Sequence, residues 1–182
     1  TWSGNTDTSW TTGSNWAGGT APSLNNGTEN IIIPGGRPNY PVLPDADWSI
    51  NQLTIDAGAS LTIGANNLTI NGTAQTYISS KGLFSKFTNI GTLKLNGALV
   101  VRCEENLALN EGDELKIFDA ASITIGANLV LDLCSPNAAL GLTWNTSRLS
   151  EGILIVGPAT TAGLISIHSD ELSNAEIYTL LG

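Results

Sequence analysis

Two basic residues lie close in the sequence to a cluster of acids, a combination that could serve elimination chemistry on an acidic polysaccharide. The basic residues are Arg102 and Lys116, and the acids are Glu104, Glu105, Glu111, Asp113 and Glu114. A polysaccharide lyase would use a basic residue to abstract a proton or to stabilise charge beside an acidic calcium cluster. The acids at 111–114 also form a natural polar turn between two strands, so we rank a lyase behind two non-catalytic interpretations.

The single histidine of the chain is the other residue type that suggests catalysis. His168 is followed closely by Asp170 and Glu171. A triad would also need an activated nucleophile, and the chain has no Gly-x-Ser-x-Gly elbow. We therefore interpret His168 as an ordinary strand residue and predict no catalytic residues.

Metal binding has a weak basis in the sequence. The two cysteines and the histidine supply at most three zinc ligands and lack CxxC or HxxxH spacing. Calcium prefers oxygen ligands, which Asp45, Asp47 and the acids at 111–114 could provide. Because no EF-hand or nonapeptide calcium repeat is present, we expect solvated acids in turns and no cofactor, with Ca²⁺ as the open alternative.

Three aromatic residues are candidates for binding a carbohydrate or another partner. Trp48 follows Asp47, Trp144 precedes Asn145, and Tyr40 lies in a proline-rich segment. Sugar sites combine apolar aromatic faces with amides or carboxylates. Each of these residues can equally pack at the end of a domain, so a carbohydrate-binding module is the alternative function.

The N-terminal tryptophans, Trp2, Trp10 and Trp16, are spaced eight and six residues apart. Even spacing places all three rings on one side of an extended segment. They could form a stacking platform for sugars or a hydrophobic lid over the end of the fold. We favour the lid, because an elongated fold needs its end covered.

Composition limits the classes of partner. Charged residues are 13% of the 182 residues, against about 25% in average soluble domains, and the net charge is −9. Proteins that bind nucleic acid carry basic patches, and anionic membranes attract basic surfaces. Neither nucleic acid nor an anionic membrane is therefore an expected partner of this acidic chain.

No apolar run approaches the roughly 18 residues of a membrane helix, so we predict no membrane span. The absence of methionine indicates a removed leader or a piece of a larger protein.

Apolar triplets recur at a spacing of about 23 residues and predict the fold. The three sets begin at residues 53, 76, 99 and 123; at 61, 83, 107 and 129; and at 68, 93 and 115. Three short strands per period, separated by Gly and Asn turns, predict three strands per coil. The prediction is therefore an all-β, right-handed parallel β-helix of about four coils.

The predicted β-helix forms one elongated domain, with a tryptophan-rich cap at 1–47, coils at 48–134 and an irregular β-rich end at 135–182. Segments 163–169 and 175–181 are expected strands of that end, and the last strand is expected to be truncated. The alternative fold is an antiparallel sandwich or jelly roll, which the hairpin signal Asn71-Gly72 supports.

The state of Cys103 and Cys134 should discriminate between these two folds. In the coil register they lie at different corners, which disfavours a disulfide. In an antiparallel sandwich, segments 99–103 and 129–134 could pair and the two cysteines could meet.

Several motifs resemble a known family. They are W-x-G…W…N-W…G…P at 2–22, N-Y-P-V-L at 39–43, and LTI-x-x-GASLTI after it. This pattern resembles the opening of large secreted bacterial β-helical adhesins. Segments 112–119 and 141–149 are similar to the closing repeat of autotransporter-associated β-strand proteins, which usually have Asp at the position of Asn145. Residues 164–182 resemble the start of a C-terminal sorting module of some Gram-negative bacteria.

The resemblance implies a secreted or cell-surface bacterial protein with a structural or adhesive function. It brings no catalytic residues to this chain. The expected partners are a surface glycan, another protein or copies of the chain itself. Filament assembly is a variant of this expectation, because the ends of a solenoid present unpaired backbone groups.

Overall fold

The computed structural model describes residues 1–23 and 25–159. Its strands, in chain order, are β1 (Asn30–Ile33), β2 (Trp48–Ile50), β3 (Gln52–Ile55), β4 (Ser60–Thr62), β5 (Leu68–Ile70), β6 (Thr73–Ser80), β7 (Leu83–Phe84), β8 (Lys86–Leu95), β9 (Ala98–Cys103), β10 (Glu114–Lys116), β11 (Phe118–Ile125), β12 (Val130–Leu133), β13 (Leu142–Asn145) and β14 (Ile153–Ala159). The helical elements of this part of the chain are three short 3₁₀ turns, Gly13–Asn15, Ala138–Leu140 and Leu149–Glu151. The prediction of an all-β fold is confirmed.

The strands form three sheets. The first has the order β1-β3-β6-β9-β12, with every neighbouring pair parallel and with β7 antiparallel to β6. The second has the order β11-β8-β5-β2, also parallel, and β4 pairs with β8 beside β5. The third, β10-β14-β13, is antiparallel. The mostly parallel sheets form a curled half-barrel.

The interior of the half-barrel is built from alternating residues of these strands. In β3 the side chains of Leu53 and Ile55 are buried while Thr54 between them is half-exposed, as period-2 alternation requires. Parallel pairing aligns Leu53 with Ile31 on one side and with Ala74 on the other. Rows of buried apolar side chains therefore run across the sheets, and their burial is the main stabilising term.

The predicted right-handed parallel β-helix is wrong. A regular coil would stack Leu61, Leu83, Leu107 and Leu129 on one another. Instead, Leu61 pairs with Phe87, Leu83 pairs with Ser80 in a hairpin, and Leu107 lies outside the strands. Paired positions in the first sheet follow the uneven sequence 31, 53, 74, 99 and 131. Connections of unequal length set this register, so no single period generates the fold.

The alternative antiparallel sandwich or jelly roll is also wrong, because the two large sheets are parallel. Among the described strands, antiparallel pairing occurs in β6–β7 and in the third sheet, and isolated antiparallel bridges outside the strands add Trp2–Trp16, Ala108–Asn137 and Asn137–Leu142. The Asn71-Gly72 dipeptide connects β5 to β6, which lie in different sheets, and so does not form a hairpin. The expected strands at 163–169 and 175–181 lie outside the described residues.

Candidate functional site

The most distinctive surface of the described chain is the edge of the half-barrel formed by β11, the turn at 126–129 and β12, which we call the open end. Leu131 continues the row that contains Leu99, yet 42% of its surface is exposed while Leu99 is fully buried. Ile125 continues the row of Leu95 and is 41% exposed. The open end therefore presents core-type positions of the half-barrel to solvent.

The opposite edge of the first sheet is covered. The N–H of Trp2 donates to the carbonyl O of Ile32 in β1 at 2.8 Å. Trp2, Trp10 and Trp16 are all buried, with ring centroids 5.1 Å apart for Trp2–Trp16 and 4.5 Å apart for Trp10–Trp16. Their burial agrees with the interpretation of this segment as a lid. Because the rings are buried, they cannot serve as a stacking platform for sugars.

A buried amide that was not predicted from the sequence holds the tryptophan segment together. Asn15 Oδ1 accepts the N–H groups of Thr6 (2.9 Å) and Asp7 (3.2 Å). Its Nδ2 donates to Asp7 Oδ1 (2.6 Å) and to the carbonyl O of Ser9 (3.0 Å). Four hydrogen bonds satisfy a side chain with no exposed surface. The sequence signal for this role is slight, since Asn is common throughout the chain.

A disulfide joins Cys103 to Cys134 beside the open end, with their Cα atoms 5.8 Å apart. The expectation that the coil register would place these cysteines at different corners, and so disfavour a disulfide, is wrong. Strands β9 and β12 do pair, as the alternative fold required, but in parallel, with Val101 opposite Leu133. Cys103 is the last residue of β9, two positions after Val101, and Cys134 comes one position after Leu133. Parallel pairing therefore places the two cysteines at the same end of neighbouring strands, where they bond.

Trp144, a predicted binding residue, lies next to this disulfide. Its Nε1 donates to the carbonyl O of Cys134 at 2.8 Å. The half-buried ring lines a cleft of about 390 Å³ together with Leu133, Cys134, Ser135, Gly141, Leu142 and Thr143. Because the indole N–H is already bonded, only the ring surface remains for a ligand.

The other two predicted binding residues lie on other elements. Trp48 begins β2, is half-buried and donates from Nε1 to the carbonyl O of Pro44 at 3.1 Å. Tyr40 lies between β1 and β2, packs partly buried against the core and accepts the N–H of Arg37 on its hydroxyl at 3.4 Å. Trp48, Tyr40 and Trp144 therefore do not form one platform, since they belong to three separate parts of the fold.

The basic residues considered for a lyase are paired with acids other than those expected. Arg102 bonds to Asp132 at 2.8 Å, and Lys116 bonds to Asp119 at 2.6 Å. Both pairs lie at the open end, since Asp119 is in β11 and Asp132 is in β12. These contacts neutralise the acids of the open end and leave no cluster around Arg102 and Lys116 of the kind predicted.

A second group of ion pairs lies between the third sheet and its neighbours. Lys81 Nζ donates to Asp113 at 2.6 Å, and this bond is the main reason that the pKa of Asp113 lies below its ordinary value. The N–H of Asn110 also donates to Asp113 and lowers this pKa further. The bond from Arg148 likewise lowers the pKa of Glu151. These carboxylates stay ionised at neutral pH and act as structural groups.

Three of the acids considered for calcium, Asp47, Asp113 and Glu114, are engaged in other bonds. Asp47 accepts the N–H of Asn67 (2.9 Å) and its Nδ2 (3.0 Å), and these bonds lower the pKa of Asp47. Glu114 bonds to Arg148 at 2.8 Å. Across residues 1–23 and 25–159, no group of three or more His, Cys, Asp or Glu side chains is arranged to hold a metal ion. His168 lies outside the described part of the chain.

In the described ranges, no helix has both the length and the apolar character that crossing a bilayer requires.

Comparison with protein-family models, with curated proteins and with solved structures gives no match to this chain.

Proposed function

We propose that this chain is a non-catalytic structural or adhesive module of a secreted bacterial cell-surface protein. The observation that carries the proposal is the disulfide between Cys103 and Cys134, which ties an outer strand of the first sheet to its neighbour. Structural disulfides persist in oxidising compartments and are rare in the bacterial cytosol. The resemblance of the N-terminal motifs to secreted adhesins points to the same compartment.

The surface chemistry of the described residues supports a structural role. The basic side chains Lys81, Arg102, Lys116 and Arg148 are all held in ion pairs with carboxylates. Buried tryptophans and buried apolar rows account for most of the large apolar side chains. What remains on the outside is a set of pleated sheet faces, the apolar open end and the separate exposed residues Ile32, Val42, Leu83 and Leu140. Exposed apolar surface of this kind suits contact with another macromolecule.

The proposal is tested by thiol trapping together with an attachment assay. Protein made in an oxidising compartment should resist alkylation at Cys103 and Cys134 until it is reduced. Bacteria that display the 182-residue chain should attach to host-matrix or bacterial surfaces more than bacteria that display an unrelated domain, and soluble chain should compete. Free thiols in the secreted protein, or release of unsaturated sugars from an acidic polysaccharide, would contradict the proposal.

A carbohydrate-binding role is the second candidate, and the cleft beside Trp144 is the observation that favours it. The cleft places an aromatic ring next to the hydroxyl-bearing Ser135 and Thr143. Aromatic faces beside a few polar groups are typical of sugar sites. If sugars bind here, a panel of glycans should shift the tryptophan emission of the wild type and of Trp48→Phe, but not that of Trp144→Phe.

A further inference from the structure

We infer that the open end is a docking surface for a second copy of this chain, in which the two β12 strands pair antiparallel about a two-fold axis. The inference goes beyond the proposed function, because it concerns self-association and holds for any cellular location. It begins from exposure: Val130, Leu131 and Ile125 are 60%, 42% and 41% exposed in consecutive edge elements. Within residues 1–23 and 25–159, no strand pairs with the outer side of β12.

The backbone of β12 is ready to accept a further strand. The N–H of Val130 donates to Gly97 and the N–H of Cys134 donates to Val101, both toward β9. Polar groups of a strand alternate in direction, so the N–H and C=O groups of Leu131 and Leu133 point away from the sheet. An outer strand whose backbone groups have no partner in the described part of the chain, and whose side chains are mostly apolar, is a template for pairing with another chain.

The charge distribution favours a second copy as the occupant. The chain carries a net charge of −9, so two copies repel each other over most approaches. From residue 118 to residue 134 the only charged residues are Asp119 and Asp132. Each forms an ion pair with a cation of its own chain, Lys116 and Arg102 respectively, which reduces but does not remove the charge that a second copy meets. Two acidic molecules can therefore meet at the open end with little electrostatic cost.

The covering of the opposite edge decides the symmetry. Trp2 already bonds to Ile32 on the outer side of β1, so the open end of one copy cannot add to β1 of the next. Of the two edges of the first sheet, the open end is therefore the one left to meet the open end of a second copy. A contact between identical surfaces is isologous and closes at two subunits.

Side-chain chemistry selects the register of the two β12 strands. Residues directly opposite in an antiparallel pair lie on the same face of the sheet. A register centred on Leu131 places Leu131 opposite the partner's Leu131 and Val130 opposite the partner's Asp132. A register centred on Asp132 would oppose two carboxylates, which is destabilising. We therefore assign the register centred on Leu131, which extends the apolar row of Leu99 and Ala74 into the second subunit.

The test introduces a negative or a positive charge at Val130 in the full 182-residue chain. Analytical ultracentrifugation measures the dimer dissociation constant of each variant. Val130→Asp places a carboxylate opposite the partner's Asp132 and should weaken the dimer at least tenfold in Kd. Val130→Lys places an ammonium there and should leave Kd unchanged or lower. Ile32→Asp is the matched control, since Ile32 is 43% exposed on the opposite edge strand, and it should change Kd less than twofold.

Cysteine cross-linking tests the register independently. Leu131→Cys should form an intermolecular disulfide on mild oxidation, because opposite residues of a hydrogen-bonded antiparallel pair lie about 5.5 Å apart at Cα. Asp132→Cys should not cross-link to itself, since it lies diagonal to its copy. Circular dichroism of each variant confirms that the monomer is folded.

Three outcomes would overturn the inference. The first is a wild-type chain that stays monomeric between about 1 and 200 μM, a range in which a weak specific dimer is populated. The second is a dimer that responds equally to Val130→Asp and Val130→Lys. The third is a monomer whose Leu131 and Leu133 amides are protected from hydrogen exchange, because another part of the chain then covers the open end. None of these results would bear on the disulfide or on attachment, so the proposed function is tested separately.

Discussion

The carbonyl oxygen of Cys134 accepts a hydrogen bond from Nε1 of Trp144, so the residue that closes the disulfide also anchors the third sheet. Covalent and non-covalent ties between β9, β12 and β13 therefore converge at one residue. The disulfide closes a loop between positions separated by 31 residues, which restricts the unfolded chain substantially.

Removal of the disulfide should lower stability markedly. The double variant Cys103→Ser, Cys134→Ser should lose about 2–4 kcal/mol of unfolding free energy, the usual effect of a disulfide closing a loop of this size. Urea denaturation followed by tryptophan fluorescence measures the change. Wild type kept in reductant provides the control and should match the variant. Equal stability of reduced and oxidised wild type would contradict the prediction.

Replacement of Thr76 by valine should stabilise the protein. Thr76 lies in a buried row between Ile55 and Val101, and its Oγ1 has no hydrogen-bond partner among the described residues. Valine has nearly the same shape and removes a hydroxyl whose burial costs about 1–3 kcal/mol. Thermal unfolding should therefore show a higher Tm for Thr76→Val. The matched control, Thr54→Val on the outer face of β3, should change stability by less than about 0.5 kcal/mol.

Loss of the Asn15 amide should open the tryptophan segment. Asn15→Ala leaves the N–H groups of Thr6 and Asp7 and the carbonyl of Ser9 without their partner, at a cost of about 1–3 kcal/mol. The emission of the buried tryptophans should shift to longer wavelength at lower denaturant than in wild type. Asn15→Asp preserves the shape but opposes a second carboxylate to Asp7, so its deficit should shrink as the pH falls. A pH-independent deficit in Asn15→Asp would argue against this arrangement.

Acid should weaken the protein through Asp113. The Lys81 ammonium lowers the pKa of Asp113 in the folded state, so the unfolded chain binds protons more readily. The ionised Asp113 therefore contributes to the free energy of unfolding. This contribution is complete above the pKa of Asp113 in the unfolded chain, about 3.9, and it is lost as the pH falls through the lower pKa of Asp113 in the folded protein. Asp113→Asn should flatten the pH dependence of unfolding below pH of about 4. Lys81→Met should flatten it in part, whereas Lys81→Arg should preserve it.

The positions of several strands could be predicted from the sequence, but their partners could not. The triplets that begin at Leu53 and Leu68 form β3 and β5, and their first and third residues face the core as alternation requires. Pairing depends on the connections: the segment between Cys103 and β12 leaves the first sheet to supply β10 and β11 before it returns. Leu131 therefore pairs with Leu99, although regular spacing had assigned that place to Ile123.

The candidate site could likewise be predicted only in part: residue types were identified, but their neighbours in the fold were not. Trp144 was identified by residue type and does line a cleft, but its proximity to Cys134 depends on β13 and β14, which lie outside the periodic pattern of triplets. Trp48 and Tyr40 have the same local character and lie elsewhere, because residue type does not determine which elements become neighbours. The open end was not predicted, since exposure at Leu131 arises from its being the last member of a row.

The loop closed by Cys103 and Cys134 also sets how far the chain can be stretched. When a chain is pulled from its two ends, residues inside a disulfide loop carry none of the tension. The cysteines are 31 positions apart in the sequence, and an extended residue spans about 3.3–3.6 Å, so the loop withholds roughly 100 Å of contour length. Strands β10, β11 and β12 lie inside the loop, so an oxidised molecule pulled from both ends keeps these three strands free of load until the bond is reduced.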